Sequence, residues 1–176
     1  MQRLQLDFSV LVPEVDEFRL ENESPGDMVR RLAIMKASKI SALHPAAVVI
    51  GSDQVAVFDH EVIGKPGNRK NALLQLHNFS GHSIEFLTAV SVQCSETGYS
   101  QEEVIVSEAR FRDLTPAEIE RYVELDQPLD CAGGFKSEAG GSALLKYLRS
   151  DDPTAIIGLP LITVATLLRE NGFCIP

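Results

Sequence analysis

An apolar run, Ala46-Ala47-Val48-Val49-Ile50, empties into Gly51-Ser52-Asp53-Gln54. Continuous apolar runs of this length suit strands covered on both faces. In open α/β sheets ligands gather where strands end, so an acid at that point is placed to act as general base or metal ligand. The same carboxylate would also serve to cap a turn. Further on, Gly64-Lys65-Pro66 sets a lysine between a residue that lets the backbone turn and one that fixes its exit. An ammonium held in this way suits a phosphate, although an exposed loop lysine has the same local sequence. Lys36 follows Met35 and precedes Ile40 at the edge of an apolar stripe, where a lysine stem commonly covers apolar surface. Glu14, Asp16 and Glu17 offer hard oxygens of the kind Mg²⁺ or Mn²⁺ prefers, or else form a solvated acidic loop.

A late glycine-rich stretch, Gly133-Gly134-Phe135-Lys136-Ser137-Glu138-Ala139-Gly140-Gly141, matches neither standard phosphate-loop pattern. Its glycines would let backbone approach a flat ligand, with Lys136 and Glu138 able to contact it. The alternative is a flexible surface loop. His44, His60, His77 and His82 form no pair at helical spacing, and no Ser-His-Asp or Cys-His spacing is present. Cys94, Cys131 and Cys174 lie too far apart for a C-x-x-C motif, so reduced thiols are expected and a zinc site is not.

These groups depend on the elements that carry them. Phe8 to Val12 predicts a short strand running into Pro13. Ser24-Pro25, with Asp27 in the first turn, opens a helix whose Met28, Leu32, Met35 and Ile40 share one face through about Leu43. The strand over Ala46 to Ile50 resumes as Val55 to Phe58, and Asp59-His60 turns the chain into Glu61-Val62-Ile63. A helix is expected from about Asn68 to Phe79, then two long strands over Ile84–Gln93 and Glu103–Phe111 flanking Glu96-Thr97-Gly98. Thr115-Pro116-Ala117-Glu118 combines a capping box with proline at the first helical position. A strand or short helix near Ala143–Leu148 and a helix over Leu161–Glu170 complete the series. Alternating strands and helices around a long hairpin indicate a mixed sheet of the α/β class.

With 176 residues, 44% hydrophobic and 23% charged, the chain suits one globular domain. Its net charge of −9 disfavours long nucleic acids, which reward a basic face. No apolar run approaches the ~20 residues of a membrane-spanning helix, and Met1–Phe8 lacks a signal-peptide core, so the cytoplasm is the expected location.

In order along the chain stand Pro13-Glu14-Val15-Asp16-Glu17, Arg31-Leu32-Ala33 with Lys36-Ala37, and Gly51-Ser52-Asp53-Gln54-Val55. Gly64-Lys65-Pro66, Ser80-Gly81 with Thr88, Phe111-Arg112-Asp113-Leu114-Thr115 and Ile157-Gly158-Leu159-Pro160-Leu161 follow. This series resembles the Maf (septum-formation-related) nucleotide pyrophosphatases from about Phe8 to the end. Gln54 stands where most of that family has Thr, and Phe135-Lys136-Ser137-Glu138 where other branches carry Tyr and Gln. Both features resemble the 7-methyl-GTP pyrophosphatase branch.

The resemblance implies a mixed twisted sheet with helices on both sides and a central cleft, in a single domain over residues 1–176. It implies cleavage between the α and β phosphates of a small nucleotide, with a divalent metal. Asp53 would be the general base and Glu17 would help hold the metal. Lys36 and Lys65 would neutralise phosphate charge, while Gln54 would orient base or phosphate. Glu138 would accept the adjacent N1–H and N2–H₂ donors of guanine, a match made stronger by the cationic methylated base. A homodimer is an expectation from the family alone. Family members also open with a strand and a Ser-x-Ser-Pro-x-Arg loop ahead of the match to Leu4–Phe8, so an N-terminal truncation relative to the family is expected. A nucleotide-binding protein with impaired catalysis and an inosine-triphosphate-type pyrophosphatase are the rival expectations.

Overall fold

Ser24 starts the first helix, α1 (Pro25–Leu43), by accepting a hydrogen bond from the Asp27 backbone N–H at 3.1 Å. In the computed structural model, which describes residues 1–175, α1 lies across strands β1 (Val49–Phe58) and β3 (Ser83–Cys94). The side it buries is Val29, Leu32, Ala33, Ala37 and Ser41, so its close-packed face is built largely of small residues. The bulkier stripe of Met28, Met35 and Ile40 is half-buried beside it.

The sheet runs β2 (Glu61–Ile63), β1, β3, β4 (Tyr99–Phe111), β5 (Leu145–Ser150). The α/β class stands, but all four pairings are antiparallel, where the sequence suggested a mixed sheet. Neighbouring strands reverse direction because β1–β2 and β3–β4 are hairpins, and α2 (Arg69–Phe79) returns the chain antiparallel to β1. The β3–β4 hairpin is paired from Ser83↔Arg110 to Cys94↔Tyr99, which makes it the sheet's frame.

Helices cover both faces. Opposite α1 lie α2 and α3 (Pro116–Asp126), over a core of Phe79, Phe86, Phe111, Ile119 and Phe135. Phe135 meets Phe86 and Phe111 at centroid distances of 5.7 and 5.4 Å, contacts worth about 0.5–1.5 kcal/mol each beyond the area they bury. That anchor, with Gly133 and Gly134 buried beside it, fixes the base of the glycine-rich stretch rather than leaving it a loose surface loop. At the other end α4 (Leu161–Glu170) packs Val164, Leu167 and Leu168 on Val90 and Val92. The buried Asp152 carboxylate caps α4 from outside it, accepting from the N–H groups of Ile162 (2.7 Å) and Thr163 (3.2 Å).

Phe8–Val12 forms no strand. These residues carry no regular secondary structure and pair with no strand, and Val10 and Val12 are 77% and 86% exposed. A strand needs a neighbouring backbone, and periodicity alone does not supply one. Among the described residues the outer edge of β1 from Val49 to Val55 has no strand beside it, because β2 pairs with Ala56–Phe58. A cleft of about 990 Å³ separates that edge from Asp7–Leu11 and reaches Lys36. Among the described residues no helix is long and apolar enough to cross a membrane.

Candidate active site

β1 does not end at its acid. It continues through Gly51-Ser52-Asp53-Gln54 to Phe58, which puts Asp53 inside the strand instead of at its tip. What positions the side chain is the alternation of a strand, which sends consecutive residues to opposite faces. Gly51, Asp53, Val55 and Val57 face α1, while Ser52 and Gln54 face away from it.

Gly51 brings helix and strand close. A β-carbon at that position would stand 2.6 Å from the Ala37 backbone nitrogen and closer still to the Ala33 carbonyl oxygen. With that contact reduced to hydrogen, Lys36 reaches over β1 and its Nζ lies 2.6 Å from Asp53 Oδ1. The same Nζ lies 2.6 Å from Glu17 Oε1, delivered by the irregular segment ahead of α1. Lys36 and Asp53 are well shielded, with side chains 18% and 11% exposed, while Glu17 remains open at 51%.

The electrostatics follow from this geometry. Burial pushes the Asp53 carboxyl above its ordinary range, against the downward pull of the Lys36 ammonium bonded to it. Burial also works against the charge on Lys36, but its bonds to Asp53 and Glu17 outweigh that and hold its pKa above the usual lysine value. Glu17 is held low, chiefly by its hydrogen bond to Lys36. Lys65 is exposed, and its positive field favours the ionised forms of Asp53 and Glu17.

Lys36, Glu17 and Asp53 are therefore brought into contact, with Lys65 in their field. Gln54 is not among them. Its amide nitrogen donates to Thr88 Oγ1 (2.8 Å) and to the carbonyls of Ala155 (2.9 Å) and Ile156 (3.2 Å) on the far side of the sheet. Ser52 joins it there, donating to the Gly158 carbonyl at 2.8 Å. Glu138 sits exposed on the glycine-rich segment, near enough to Cys131 and Tyr122 to raise both their pKa values, behind burial as the larger cause. Lys65 acts on Cys131 as well, so its charge is felt both on that segment and at Asp53. Lys136 does not face a ligand: its ammonium donates to the Asp126 carbonyl at the end of α3 at 2.8 Å, and its backbone N–H donates to Tyr122 Oη at 2.9 Å.

Among the described residues no three His, Cys, Asp or Glu side chains converge as a metal cage. Glu17 and Asp53 each spend one oxygen on Lys36 and keep the other. Two carboxylates with spare oxygens, beside a cleft open to solvent, fit a hard cation of the Mg²⁺ type, which usually takes one or two carboxylates and completes its shell with phosphate and water.

Sequence spacing does not single out Arg31, Glu23 and Lys39 as partners. Arg31 forms a two-point ion pair with Glu23, Nε–Oε1 at 2.6 Å and Nη2–Oε2 at 2.8 Å, and Lys39 donates to the Glu14 carbonyl. Helical spacing cannot reveal these contacts, because Glu14 and Glu23 precede the helix.

The sequence profile of a family described as Maf-like protein matches residues 1–171. A protein of Aromatoleum aromaticum named 7-methyl-GTP pyrophosphatase is 47% identical over 176 residues, covering 100% of this chain and 91% of that one. Proteins of the same name from Xanthomonas axonopodis pv. citri and Alcanivorax borkumensis are 48% and 46% identical, covering 99% and 100% of this chain and 90% and 89% of their own.

Proposed function

The chain belongs to the Maf-like family, and from that footing we propose that it is a nucleotide pyrophosphatase acting on 7-methyl-GTP. Water adds to the α phosphorus, the α–β anhydride bond breaks, and the products are 7-methyl-GMP and pyrophosphate. The observation that carries this reading is the meeting of Asp53, Lys36 and Glu17 through contacts of 2.6 Å.

Asp53 takes the proton of the attacking water. A shielded carboxyl with a raised pKa is a stronger base than a solvated one, and its ion pair with Lys36 favours its ionised form. Lys36 has a second task, since its ammonium is available to the negative charge that gathers on the departing pyrophosphate. Lys65, exposed and felt by both carboxylates, meets the outer phosphates. Glu17 and Asp53 would hold a divalent cation, which supplies further charge neutralisation on the phosphate oxygens when bound. Glu138 accepts from the N1–H and N2–H₂ edge of the methylated guanine, and the cationic ring strengthens that pairing. Gln54 braces the backbone at residues 155 and 156 on the opposite face of the sheet. The cytoplasm, where nucleotides are made and damaged, is the proposed place of action.

The test is pyrophosphate release with Mg²⁺ or Mn²⁺ from 7-methyl-GTP, GTP, ITP, UTP and dTTP, in the wild type and in Glu138→Gln. Preference for 7-methyl-GTP, reduced in the variant, is expected. Binding of 7-methyl-GTP by calorimetry without turnover, or faster hydrolysis of UTP or dTTP, would overturn the proposal.

A further inference from the structure

We propose that Arg31 is a positioning residue for this reaction, holding the segment ahead of α1 so that Glu17 rests on Lys36. The inference deepens the functional reading above and rests on it for the catalytic part. Glu17 lies in a stretch with no regular secondary structure, 51% exposed, yet its carboxylate meets a shielded ammonium at 2.6 Å. Something outside Glu17 must fix its backbone, because one solvent-exposed ion pair contributes little against the freedom of an irregular chain.

Arg31 supplies that restraint from α1. One edge of its guanidinium grips Glu23 at two points, at 2.6 and 2.8 Å, the planar fork-to-fork geometry that gives such pairs their directionality. Its Nη2 also donates to the Phe18 carbonyl at 3.0 Å, on the residue next to Glu17. Glu23 in turn accepts from the Leu20 N–H at 3.0 Å, and its own carbonyl accepts from Arg19 Nε and Nη2 at 2.9 and 2.7 Å. Residues 18–23 are thus folded around one carboxylate, which one arginine ties to the helix. On the other side of Glu17, Lys39 holds the Glu14 carbonyl. Arg31, Lys36 and Lys39 all rise from α1, so the helix that carries Lys36 also sets the path of the segment that brings Glu17 to it. Lysine at position 31 cannot repeat this, because a single ammonium lacks the fork.

The experiment compares the wild type with Arg31→Met, Arg31→Lys and Glu23→Gln, each alone and combined with Glu17→Gln. Amide hydrogen exchange of the free protein is expected to quicken at least tenfold within residues 14–23 in Arg31→Met and Glu23→Gln, and to stay unchanged in β3 and β4. The Mg²⁺ concentration giving half-maximal pyrophosphate release is expected to rise about tenfold, with a smaller loss of kcat, and Arg31→Lys to restore it only in part. In the Glu17→Gln background the Arg31 substitution should cost nothing further, because a residue acting through another has no effect once that other is gone. Unchanged exchange in residues 14–23 of Glu23→Gln and Arg31→Met would overturn the inference, and so would additive losses with Glu17→Gln. A wild type that hydrolyses no nucleotide would defeat the functional reading, while the exchange data would still decide whether Arg31 holds the segment.

Discussion

Lys36 reaches Asp53 across the interface between α1 and β1, ammonium to carboxylate at 2.6 Å, with both side chains largely out of solvent. Their contact joins a helix to the middle of a strand at a point where neither element ends. It also sets the chemistry of the acid, since burial raises the Asp53 pKa and Lys36 restrains it.

Asp53→Asn keeps the shape of the side chain and removes its capacity to take a proton. Pyrophosphate release is expected to fall by about 10²–10⁴-fold, the range for loss of a general base. The circular dichroism spectrum should be unchanged, because Lys36 keeps Glu17 as its partner. A variant with near wild-type turnover would remove Asp53 from the mechanism.

Lys36→Met makes a pH prediction with a definite sign. In the wild type the Asp53 carboxyl already titrates above its ordinary value of 3.8, so the acid limb of kcat/KM is expected above that pH. Removing the ammonium deletes the hydrogen bond and the charge that pull the pKa down, while burial remains. The limb should therefore move to higher pH as maximal activity falls. A pH–rate profile checks this, and a limb that moves toward acid would contradict it.

Asp152→Ala tests the scaffold under α4. Its two oxygens accept from Thr154 N–H and Oγ1 (3.1 and 2.8 Å) and from the first-turn N–H groups of Ile162 and Thr163 (2.7 and 3.2 Å), at 2% exposure. Losing a buried charged acceptor of several donors is expected to cost about 2–3 kcal/mol. Urea unfolding measures it, and a loss below about 0.5 kcal/mol, the floor for a helix cap, would show that water takes over the bonds.

The Thr115 capping box gives a stability change that depends on pH. Glu118, bonded first to the Thr115 backbone and side chain and then to Arg112, has its pKa lowered from 4.5 to about 2. Its folded-state pKa is depressed, so its contribution is fully present above the unfolded value and is lost as pH falls from about 4.5 towards 2. Thr115→Ala should cost about 1 kcal/mol at neutral pH. Over that acid interval the variant's stability should fall less steeply than the wild type's, as followed by thermal melts at several pH values.

Much of this architecture was legible from local signals. Ser24-Pro25, Asn68 and the Thr115 capping box mark helix starts because each satisfies N–H groups within a few residues. The β3–β4 hairpin was legible apart from its extension back to Tyr99, because its turn and alternation are also local. Residue type and order pick out Lys36, Lys65 and Asp53, and Lys36 does meet Asp53, but the acid lies inside β1 and not at its tip. Gly51 looked like the end of a strand, whereas it is the point inside β1 where α1 comes closest. Hydrophobic weight assigns the burial of α1 to Met28, Leu32, Met35 and Ile40; of these Leu32 is buried, but close packing also selects Ala33 and Ala37, which weigh little on such a scale. Adjacency groups Gln54 with Asp53, while the pleat sends it to the other face. Phe8–Val12 has the pattern of a strand without a paired neighbour, and pairing cannot be read from one segment. Arg31 and Glu23 escaped because their bond joins a helix to an irregular stretch at no fixed spacing.

The gap between α1 and the sheet is set at Gly51, where the smallest side group faces the Ala33 carbonyl and the Ala37 nitrogen. Every atom added there would lever the helix outward, and with it the amine that spans to Asp53. Glycine is thus the one residue that leaves this spacing undisturbed, and the reach of Lys36 to Asp53 depends on it. The geometry of this centre rests on a residue whose contribution is to take up no room.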